Sequence, residues 1–374
     1  MVKESAKYFS LIKGIFKFGF KKPLIPANPS LIVWETTHRC NLTCRHCSAS
    51  AGEKTEGELT TNQAKKVIDK LNKFGVSQIA FSGGEPLVRQ DIFELTKYAS
   101  DKGIYVGIDS NGTLITKEKA QEIINAGIKY VRVSIDGSNA QLHDSLRGVP
   151  GAFEKSIAGI KNVVGKLSTS ICTTVTKQNY TDFENIINLA ESLGVDHALF
   201  DEFIPVGRAK EIQNLDLSPQ EREEFLRKLY KKMKESKVDI VIAFTEITRV
   251  GLQVDSCKTI APTYNGNFRG IFKKTFAKIA GGCSVGRFVL LIKPNGEIHP
   301  CSFLQIPIGN ALTDDLKKLW KKNPILMELR KRNNFKPECG ICKYRSICGG
   351  CRARAYSYLN DYLGPDPGCI YNKK

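Results

Sequence analysis

Three closely spaced cysteines constrain this chain more than any other feature of its sequence. Cys40, Cys44 and Cys47 form a C-x3-C-x2-C pattern directly after the apolar run 31–34. Three thiolates on one loop can hold three corners of a cubane iron–sulfur cluster, and the fourth iron then has no protein ligand. The spacing therefore predicts a metal centre with one open coordination position.

A zinc site is the alternative that the same spacing leaves open. Zinc takes four ligands, commonly from two C-x2-C pairs or from a cysteine pair and a histidine pair. His38 or His46 could complete such a set beside the three cysteines. A zinc-binding or nucleic-acid-binding protein is therefore the non-enzymatic alternative.

The other cysteines are also unevenly distributed. Of twelve cysteines, four fall between residues 339 and 351 in a C-x2-C-x5-C-x2-C run. This clustering favours metal binding, because a disulfide framework would spread its cysteines along the chain. C-x2-C pairs also leave zinc open here. Cys172, inside a predicted strand, is expected to be a plain buried thiol.

Charge and hydropathy restrict the partners. The 374-residue chain has a formal charge of +18, which suits an anionic substrate or a membrane surface but is equally compatible with a solvated, lysine-rich surface. Basic and aromatic residues do not alternate as in nucleic-acid modules, so nucleic acid is disfavoured. The sequence has no apolar run long enough to span a bilayer, and lysines interrupt the N-terminal segment where a signal peptide would lie. We therefore expect a cytoplasmic protein, with membrane association left open.

The N-terminal segment 5–22 has the pattern of an amphipathic helix. Its apolar residues share one face, and lysines occupy the other; the apolar set is Tyr8, Leu11, Ile12, Ile15 and Phe16. Such a helix can lie on an anionic membrane as a peripheral contact, or it can pack against the core domain. Three prolines between residues 23 and 29 then predict an extended linker.

From residue 31 to about 207, short apolar runs alternate with helical patterns. This alternation predicts a parallel α/β sheet, closed or partly closed into a barrel. Active residues of such barrels lie at the C-terminal ends of the strands. The predicted strands are 31–34, 78–82, 105–109, 130–135, 170–174 and 197–203, and the predicted helices are 60–74, 91–102, 117–126, 152–165 and 181–193.

Polar motifs follow these strands at the places where a site is expected. Gly83-Gly84-Glu85-Pro86 follows the second strand, and its glycines would let the backbone approach a ligand while Glu85 accepts hydrogen bonds from an ammonium group. Later strands are followed by polar residues that could bind a ligand or simply make turns. These are Ser110 and Asn111, Ser134 and Asp136, and Arg147 in a predicted loop.

The segment from Glu35 to Ser48, together with the Gly-Gly-Glu-Pro loop, resembles the radical S-adenosylmethionine (SAM) superfamily. The resemblance implies an open, partial (β/α)6 TIM-like barrel in which the free iron of the cluster binds SAM. One electron from the cluster then cleaves SAM to methionine and a 5′-deoxyadenosyl radical. It assigns Cys40, Cys44 and Cys47 to the catalytic cluster. The implied SAM contacts are Gly83, Gly84, Glu85 and Pro86 at the amino group, Arg147 at the carboxylate, and Ser110, Asn111, Ser134, Asp136 and Val206 elsewhere.

The C-terminal cysteines resemble a SPASM extension, a small Cys-rich domain that carries auxiliary iron–sulfur clusters. The resemblance implies one [4Fe–4S] cluster on Cys339, Cys342, Cys348 and Cys369. It implies a second on Cys283, Cys301 and Cys351, completed by Cys257 or by an external ligand. The family usually has three residues between the last pair of the run, where this chain has only Gly349 and Gly350.

The two ends together, Trp34–Leu42 and Cys348–Ala355, resemble enzymes of alternative haem and haem d1 biosynthesis. Those relatives remove or oxidise carboxylate side chains of a tetrapyrrole, so the resemblance implies a radical SAM oxidoreductase that acts on a carboxylated tetrapyrrole. A peptide maturase and an enzyme that modifies a membrane lipid are the alternatives. A ferredoxin or flavodoxin is the implied electron donor. The predicted domains are a helix and linker (1–30), the barrel (31–210), a helical connection (211–281) and the cluster domain (282–374).

Overall fold

The computed structural model describes residues 25–53, 57–258, 261–263, 266–268 and 280–372. The amphipathic helix predicted over 5–22 lies outside these ranges. Within them, no helix has the length and apolar character that crossing a bilayer requires.

Six parallel strands, each followed by helical connections, form the centre of the fold. Each strand pairs with the next one along the chain, which confirms the predicted β/α alternation. The strands are β1 (Leu31–Thr37), β2 (Gln78–Gly83), β3 (Tyr105–Ser110), β4 (Tyr130–Ser134), β5 (Ser168–Val175) and β6 (His197–Glu202). The helices between them are α1 (Thr61–Phe74), α2 (Ile92–Asp101), α3 (Lys117–Asn125), α4 (Ala140–Arg147), α5 (Ala152–Val163) and α6 (Phe183–Leu193).

Helix α4 was not predicted, and it corrects the placement of Arg147 in a loop. The side chain of Asn139 caps the helix by accepting a hydrogen bond from the Leu142 N–H (3.1 Å). Gly148, at φ 74°, ends it. The segment has only eight residues, so its periodicity was too short to stand out in the sequence. Arg147 is consequently the last residue of a helix rather than a loop residue.

The sheet extends beyond the six predicted strands at both edges. Strand β7 (Asp239–Ala243) pairs in parallel with β6, and β10 (Val289–Ile292) pairs in parallel with β1. Two short antiparallel strands, β11 (Glu297–His299) and β12 (Gly309–Asn310), complete a ten-stranded sheet. A separate hairpin comprises β8 (Ala261–Thr263) and β9 (Gly266–Phe268). Strand β10 belongs to the predicted cluster domain, yet it pairs with the first strand of the barrel.

The remaining helices cover the later part of the chain. Helix α7 begins with a reciprocal capping box between Ser218 and Glu221, and Pro219 is its first residue. The helices are α7 (Pro219–Lys232), α8 (Ile247–Asp255), α9 (Leu316–Lys322), α10 (Pro324–Arg330) and α11 (Arg352–Leu359). Short 3-10 segments occur at Pro86–Val88, Gly207–Leu215 and Arg332–Asn334.

The strands present different chemistry on their two faces. On β4, Val131 and Val133 are fully buried in the apolar core. The alternating residues Arg132 and Ser134 are only half-buried. Successive strand residues point to opposite sides, so the second set faces the inside of the curved sheet. We call this inner space the lumen. It is polar and partly accessible, and the predicted site residues surround its upper end.

Candidate active site

The three N-terminal cysteines lie on the loop that follows β1. Burial raises the pKa of the Cys40 thiol to about 11 and also raises the pKa of Cys44, so bare thiolates are disfavoured there. Each sulfur nevertheless has a hydrogen-bond donor. The donors are the Leu42 N–H to Cys40 (3.4 Å), Arg147 Nη1 to Cys44 (3.8 Å) and the Ala51 N–H to Cys47 (3.3 Å). Buried thiols supplied with donors fit an iron–sulfur cluster: its cationic iron–sulfide core binds the thiolates, and the core together with its thiolates is anionic.

Arg208 fastens this loop to the end of the sixth β/α unit. Its Nε donates to the Cys44 carbonyl (2.9 Å), and its Nη1 donates to the Ala51 carbonyl (2.6 Å). Its backbone N–H donates to the Cys47 carbonyl (3.0 Å). These contacts of Arg208 with the cysteine loop were not predicted, because an arginine after a strand carries no signal of a contact with a loop that lies far away in the chain.

The two histidines considered as zinc ligands have carboxylate partners instead. His38 Nε2 lies 3.5 Å from Glu35 Oε2, and His46 Nε2 lies 3.3 Å from Asp136 Oδ2. In the described part of the chain, no three His, Cys, Asp or Glu side chains converge as ligands of a single ion.

The Gly-Gly-Glu-Pro loop packs directly against the cysteine loop. The Gly84 N–H donates to the Thr37 carbonyl and the Glu85 N–H to the Arg39 carbonyl, both at 2.8 Å. A Cβ on Gly84 would lie 2.1 Å from the Arg39 oxygen, and one on Gly83 would lie 2.4 Å from the Thr37 oxygen. The glycines thus permit close approach of two protein loops, a role that was not predicted, and their contact with SAM stays a prediction.

Glu85 brings the predicted residues of β2 and β3 together. Its carboxylate is completely buried and accepts hydrogen bonds from the Leu87 N–H (3.1 Å), the Ser110 hydroxyl (2.9 Å) and the Asn111 N–H (2.8 Å). Burial raises the pKa of Glu85 to about 7, although these donors oppose the shift. The Asn111 side chain extends to within 4.0 Å of the Cys40 sulfur. Pro86 opens the 3-10 segment that follows.

Asp136 holds Arg147 against the cysteine loop. Its Oδ2 lies 2.7 Å from Arg147 Nη2, and its Oδ1 accepts a hydrogen bond from the Thr174 N–H (2.9 Å). Burial opposes ionisation of Asp136, but Arg147, His46 and His143 outweigh it and keep its pKa below the usual value. Arg147 Nε is buried and has no hydrogen-bond partner among the described residues, so it can still donate to an anion.

Ser134, Cys172 and Val206 occupy different surroundings. Ser134, the last residue of β4, pairs with Cys172 on β5 and is half-buried in the lumen. Cys172 is not the plain buried thiol that was predicted: it is half-buried and donates to Asp201 Oδ2 (3.3 Å). The strand pattern could not show that this position faces a polar lumen. Val206 packs in an apolar cluster that contains Cys283, Cys301 and Cys351.

The second cysteine group contains Cys283, Cys301 and Cys351. They share one apolar cluster with Ile204 and Val206, at the junction between the barrel and the C-terminal region. The Leu304 N–H donates to the Cys301 sulfur (3.2 Å), and the Arg354 N–H donates to the Cys351 sulfur (3.4 Å).

Cys257, proposed as a fourth ligand of this group, is not a member of the apolar cluster. Its backbone N–H donates to the Gly251 carbonyl (3.0 Å). Its sulfur lies 3.1 Å from the place where a Cβ on Gly251 would stand. The structure therefore brings together three of the four cysteines suggested for this cluster.

The third group contains Cys339, Cys342, Cys348 and Cys369. The Cys342 N–H donates to the Cys339 carbonyl (3.4 Å). Burial raises the pKa of Cys348, and the neighbouring Cys369 thiol adds to the shift. Three of the four sulfurs have hydrogen-bond donors at 3.4 Å: Arg352 Nη2 and the Asp366 N–H to Cys339, the Tyr344 N–H to Cys342, and the Gly350 N–H to Cys348.

The short Gly349-Gly350 spacing separates the second and third groups. Both glycines adopt a left-handed backbone conformation, with φ of 76° and 62°. A Cβ on Gly350 would lie 2.9 Å from the Cys339 sulfur and 2.6 Å from Arg352 Nη2. The tight turn lets Cys348 and Cys351 join different cysteine groups although only two residues separate them.

Buried arginines surround these two groups. Arg332 is 5% exposed and donates to the backbone carbonyls of Cys283 (3.2 Å) and Ser346 (2.7 Å). Burial lowers its pKa, while negative charge at Cys283 and Cys348 opposes that change. Anionic iron–sulfur clusters would compensate such buried cations, so the residues present fit these cofactors. Neither Arg332 nor Arg352 was picked out from the sequence, since their contacts with the cysteine segments are tertiary.

Comparisons with known proteins agree with this geometry. The family model of the radical SAM superfamily matches residues 34–190, and that of the SPASM iron–sulfur cluster-binding domain matches residues 283–351. An AdoMet-dependent heme synthase from Methanosarcina barkeri is 36% identical over 92% of this chain and 97% of its own length. A mycofactocin maturase from Mycobacterium tuberculosis is 31% identical over 91% of this chain and 83% of its own.

The fold also has relatives among solved structures. The crystal structure of SuiB from Streptococcus suis bound to S-adenosylmethionine matches with a TM-score of 0.73 and 19% sequence identity, over 92% of this chain and 78% of that chain. This likeness supports the partial-barrel fold. The sequence relatives show that this chain is an enzyme, so the non-enzymatic alternative of a zinc-binding protein is wrong. The chain belongs to the radical SAM superfamily and carries a SPASM domain, and its cofactors are S-adenosylmethionine and [4Fe–4S] clusters.

Proposed function

We propose that this enzyme oxidatively decarboxylates side chains of a carboxylated tetrapyrrole. The supporting observation is that a heme synthase is 36% identical along nearly the whole of both chains. The positive charge of the protein is compatible with a substrate that carries several carboxylates.

The residues of the upper lumen have distinct roles in this proposal. Bound SAM and the catalytic cluster supply a 5′-deoxyadenosyl radical that removes a hydrogen atom from the substrate. Glu85 holds the SAM amino group, and Arg147 holds its carboxylate through the donor that the protein leaves unused. Ser110, Asn111, Ser134, Asp136 and Val206 complete the cofactor pocket, and Cys40, Cys44 and Cys47 hold the catalytic cluster.

The C-terminal cysteines hold the auxiliary clusters in this proposal. Cys339, Cys342, Cys348 and Cys369 bind one, and Cys283, Cys301 and Cys351 bind another. Loss of carbon dioxide after removal of one hydrogen atom leaves one electron, and an auxiliary cluster held by these cysteines would supply an acceptor for it. A ferredoxin or flavodoxin donates the electron that starts each turnover.

Peptide maturation is the second candidate, supported by the maturase that is 31% identical to this chain. A peptide would enter the same lumen and undergo the same hydrogen abstraction. A lipid substrate depends on segment 5–22, which lies outside the described residues.

Mass spectrometry tests the tetrapyrrole proposal. Anaerobically reduced enzyme is incubated with SAM and an iron porphyrin that carries four carboxylate side chains. We expect 5′-deoxyadenosine and a product that has lost carbon dioxide and two hydrogens from each converted side chain. The methyl ester of the same porphyrin is the control and should stay unchanged. SAM cleavage without any change in the mass of the tetrapyrrole would contradict the proposal.

A further inference from the structure

We infer that Arg132 forms a carboxylate-binding site in the lumen, with Asp109 holding it in position. This inference rests on the proposed tetrapyrrole function and identifies the residue that recognises the substrate's acidic side chains. Neither Arg132 nor Asp109 is among the cofactor contacts implied by the family resemblance.

Arg132 lies inside the barrel, one layer below the cofactor residues. Its neighbours Val131 and Val133 are completely buried against the helices, whereas the Arg132 side chain keeps 24% of its surface exposed. Ser134 is two residues further along β4, or about 7 Å at the usual rise of a strand. A group bound at Arg132 would therefore lie below the end of the strand where the cysteine loop and Arg147 meet.

The Arg132 guanidinium is held in a fixed position, but one of its nitrogens, Nη1, is still available to donate hydrogen bonds to a ligand. Its Nε and Nη2 donate to the two oxygens of Asp109, at 2.6 and 2.9 Å. The carbon of the guanidinium lies 5.4 Å from the centre of the Tyr130 ring. Nη1 makes no hydrogen bond with any residue that the structure describes. A fixed guanidinium with one open edge is well suited to a carboxylate, since little side-chain entropy is lost on binding.

The neighbouring side chains Asp109, Cys172 and Asp201 carry no positive charge, so Arg132 alone among them can attract an acidic group. The neighbouring pair, Cys172 and Asp201, consists of a neutral thiol that donates to a carboxyl group (3.3 Å). Burial raises the pKa of Asp201 to about 6, so this carboxyl group is still mostly ionised at neutral pH. Arg132 is the permanent cation among these four side chains. A substrate carboxylate would therefore find its strongest partner at Nη1.

Tyr105 and Tyr130 form the end of the lumen beyond this layer. Their rings stack with centres 5.8 Å apart, and a Cβ on Gly107 would lie 1.9 Å from the Tyr130 ring. Because Gly107 has no side chain, the Tyr130 ring can pack over it on the lumen side of β3 and β4. Tyr130 is buried and supports the guanidinium, whereas Tyr105 is 43% exposed and offers an aromatic surface at this end, which suits a substrate with an apolar body and acidic side chains.

A purely structural role is the competing explanation, because Asp109 and Arg132 are register partners on β3 and β4. A structural tie would affect stability but would not distinguish an acid from its ester. Binding of two probes therefore separates the explanations. The probes are an iron porphyrin with four carboxylates and its methyl ester, titrated by absorbance into cluster-loaded enzyme with SAM.

We expect Arg132→Gln to weaken binding of the acid about tenfold, a typical loss for one charge-assisted contact, and to leave ester binding unchanged. Arg132→Lys keeps the charge without the planar fork and should lose less acid binding. Asp109→Asn should fall between wild type and Arg132→Gln, since it loosens the guanidinium without removing it. Melting temperatures of all variants report the structural contribution separately.

The outcomes distinguish failure of this inference from failure of the proposed function. If the wild type binds the acid and Arg132→Gln binds it with the same affinity, the inference about Arg132 is overturned, while the proposed tetrapyrrole function is not. Wild-type enzyme that binds neither probe would overturn the tetrapyrrole function and this inference with it. If Arg132→Gln does not fold, Arg132→Lys decides: a loss confined to the acid supports the site, and equal losses for acid and ester overturn it.

Discussion

The guanidinium of Arg352 donates a hydrogen bond to the sulfur of Cys339, with Nη2 3.4 Å away. Arg352 is 1% exposed, and its other hydrogen bonds go to backbone carbonyls of Gly350, Tyr362 and Gly364. A buried positive charge therefore lies directly beside a cysteine that we assign to an auxiliary cluster. Hydrogen bonds to cluster sulfurs and nearby charge are known determinants of reduction potential.

We predict that Arg352→Gln lowers the reduction potential of the cluster on Cys339. A reduced cluster carries one more negative charge than an oxidised one, so loss of the cation disfavours reduction. Redox titration followed by electron paramagnetic resonance measures the potential. Arg352→Lys is the matched control and should stay closer to wild type. A potential that is unchanged in Arg352→Gln, with full iron content, would contradict the assignment.

We predict that replacing Cys40, Cys44 and Cys47 with alanine abolishes SAM cleavage and leaves the auxiliary iron bound. The two C-terminal cysteine groups have their own donors and their own buried arginines, so they do not depend on the N-terminal loop. Iron content and release of 5′-deoxyadenosine are measured together. Cys172→Ser, which changes a lumen thiol outside all three groups, should keep full iron. Release of 5′-deoxyadenosine by the triple variant would disprove the assignment.

We predict that Glu85 makes the protein less stable as pH rises. Its pKa is raised to about 7 in the folded protein, so the folded state binds more protons than the unfolded state between its ordinary pKa of 4.5 and about 7. Stability then falls across this interval, by about 3 kcal/mol at most for a shift of this size. Glu85→Gln cannot ionise and should lack this component. Denaturant unfolding of both proteins at several pH values gives the difference, and parallel pH profiles would argue against the raised pKa.

We predict that Gly84→Ala disrupts the contact between the Gly-Gly-Glu-Pro loop and the cysteine loop. Its Cβ would stand 2.1 Å from the Arg39 oxygen, and overpacking of this kind costs about 1–3 kcal/mol. We expect a lower melting temperature and less iron in the catalytic cluster. Gly52→Ala is the control, because Gly52 lies on the same loop and a Cβ there meets nothing within 4 Å. Equal behaviour of the two variants would contradict this account of Gly84.

Local sequence patterns predicted the barrel strands well. The runs starting at Gln78 and Tyr105 appear as β2 and β3 with the same first residues, because alternation of apolar strands and amphipathic helices is a local signal. The same patterns missed β10, whose parallel partner β1 lies more than 250 residues earlier in the chain. A pairing between such distant segments leaves no trace in either segment alone.

Cysteine spacing by itself indicated that this protein binds metal, and the resemblance of the surrounding residues to a known family favoured iron–sulfur clusters over zinc. Three thiols on one short loop, and a second run near the C-terminus, indicated metal clusters before any fold was known. Spacing brings Cys40, Cys44 and Cys47 within reach of one centre, since residues on one short loop cannot move far from one another, whereas the tight Gly349-Gly350 turn assigns Cys348 and Cys351 to different groups. Tertiary structure alone decided what surrounds those sulfurs: Arg147 beside Cys44, Arg352 beside Cys339, and Arg132 facing the lumen. These contacts join residues from separate strands and helices, and only packing of the whole chain brings their charges together.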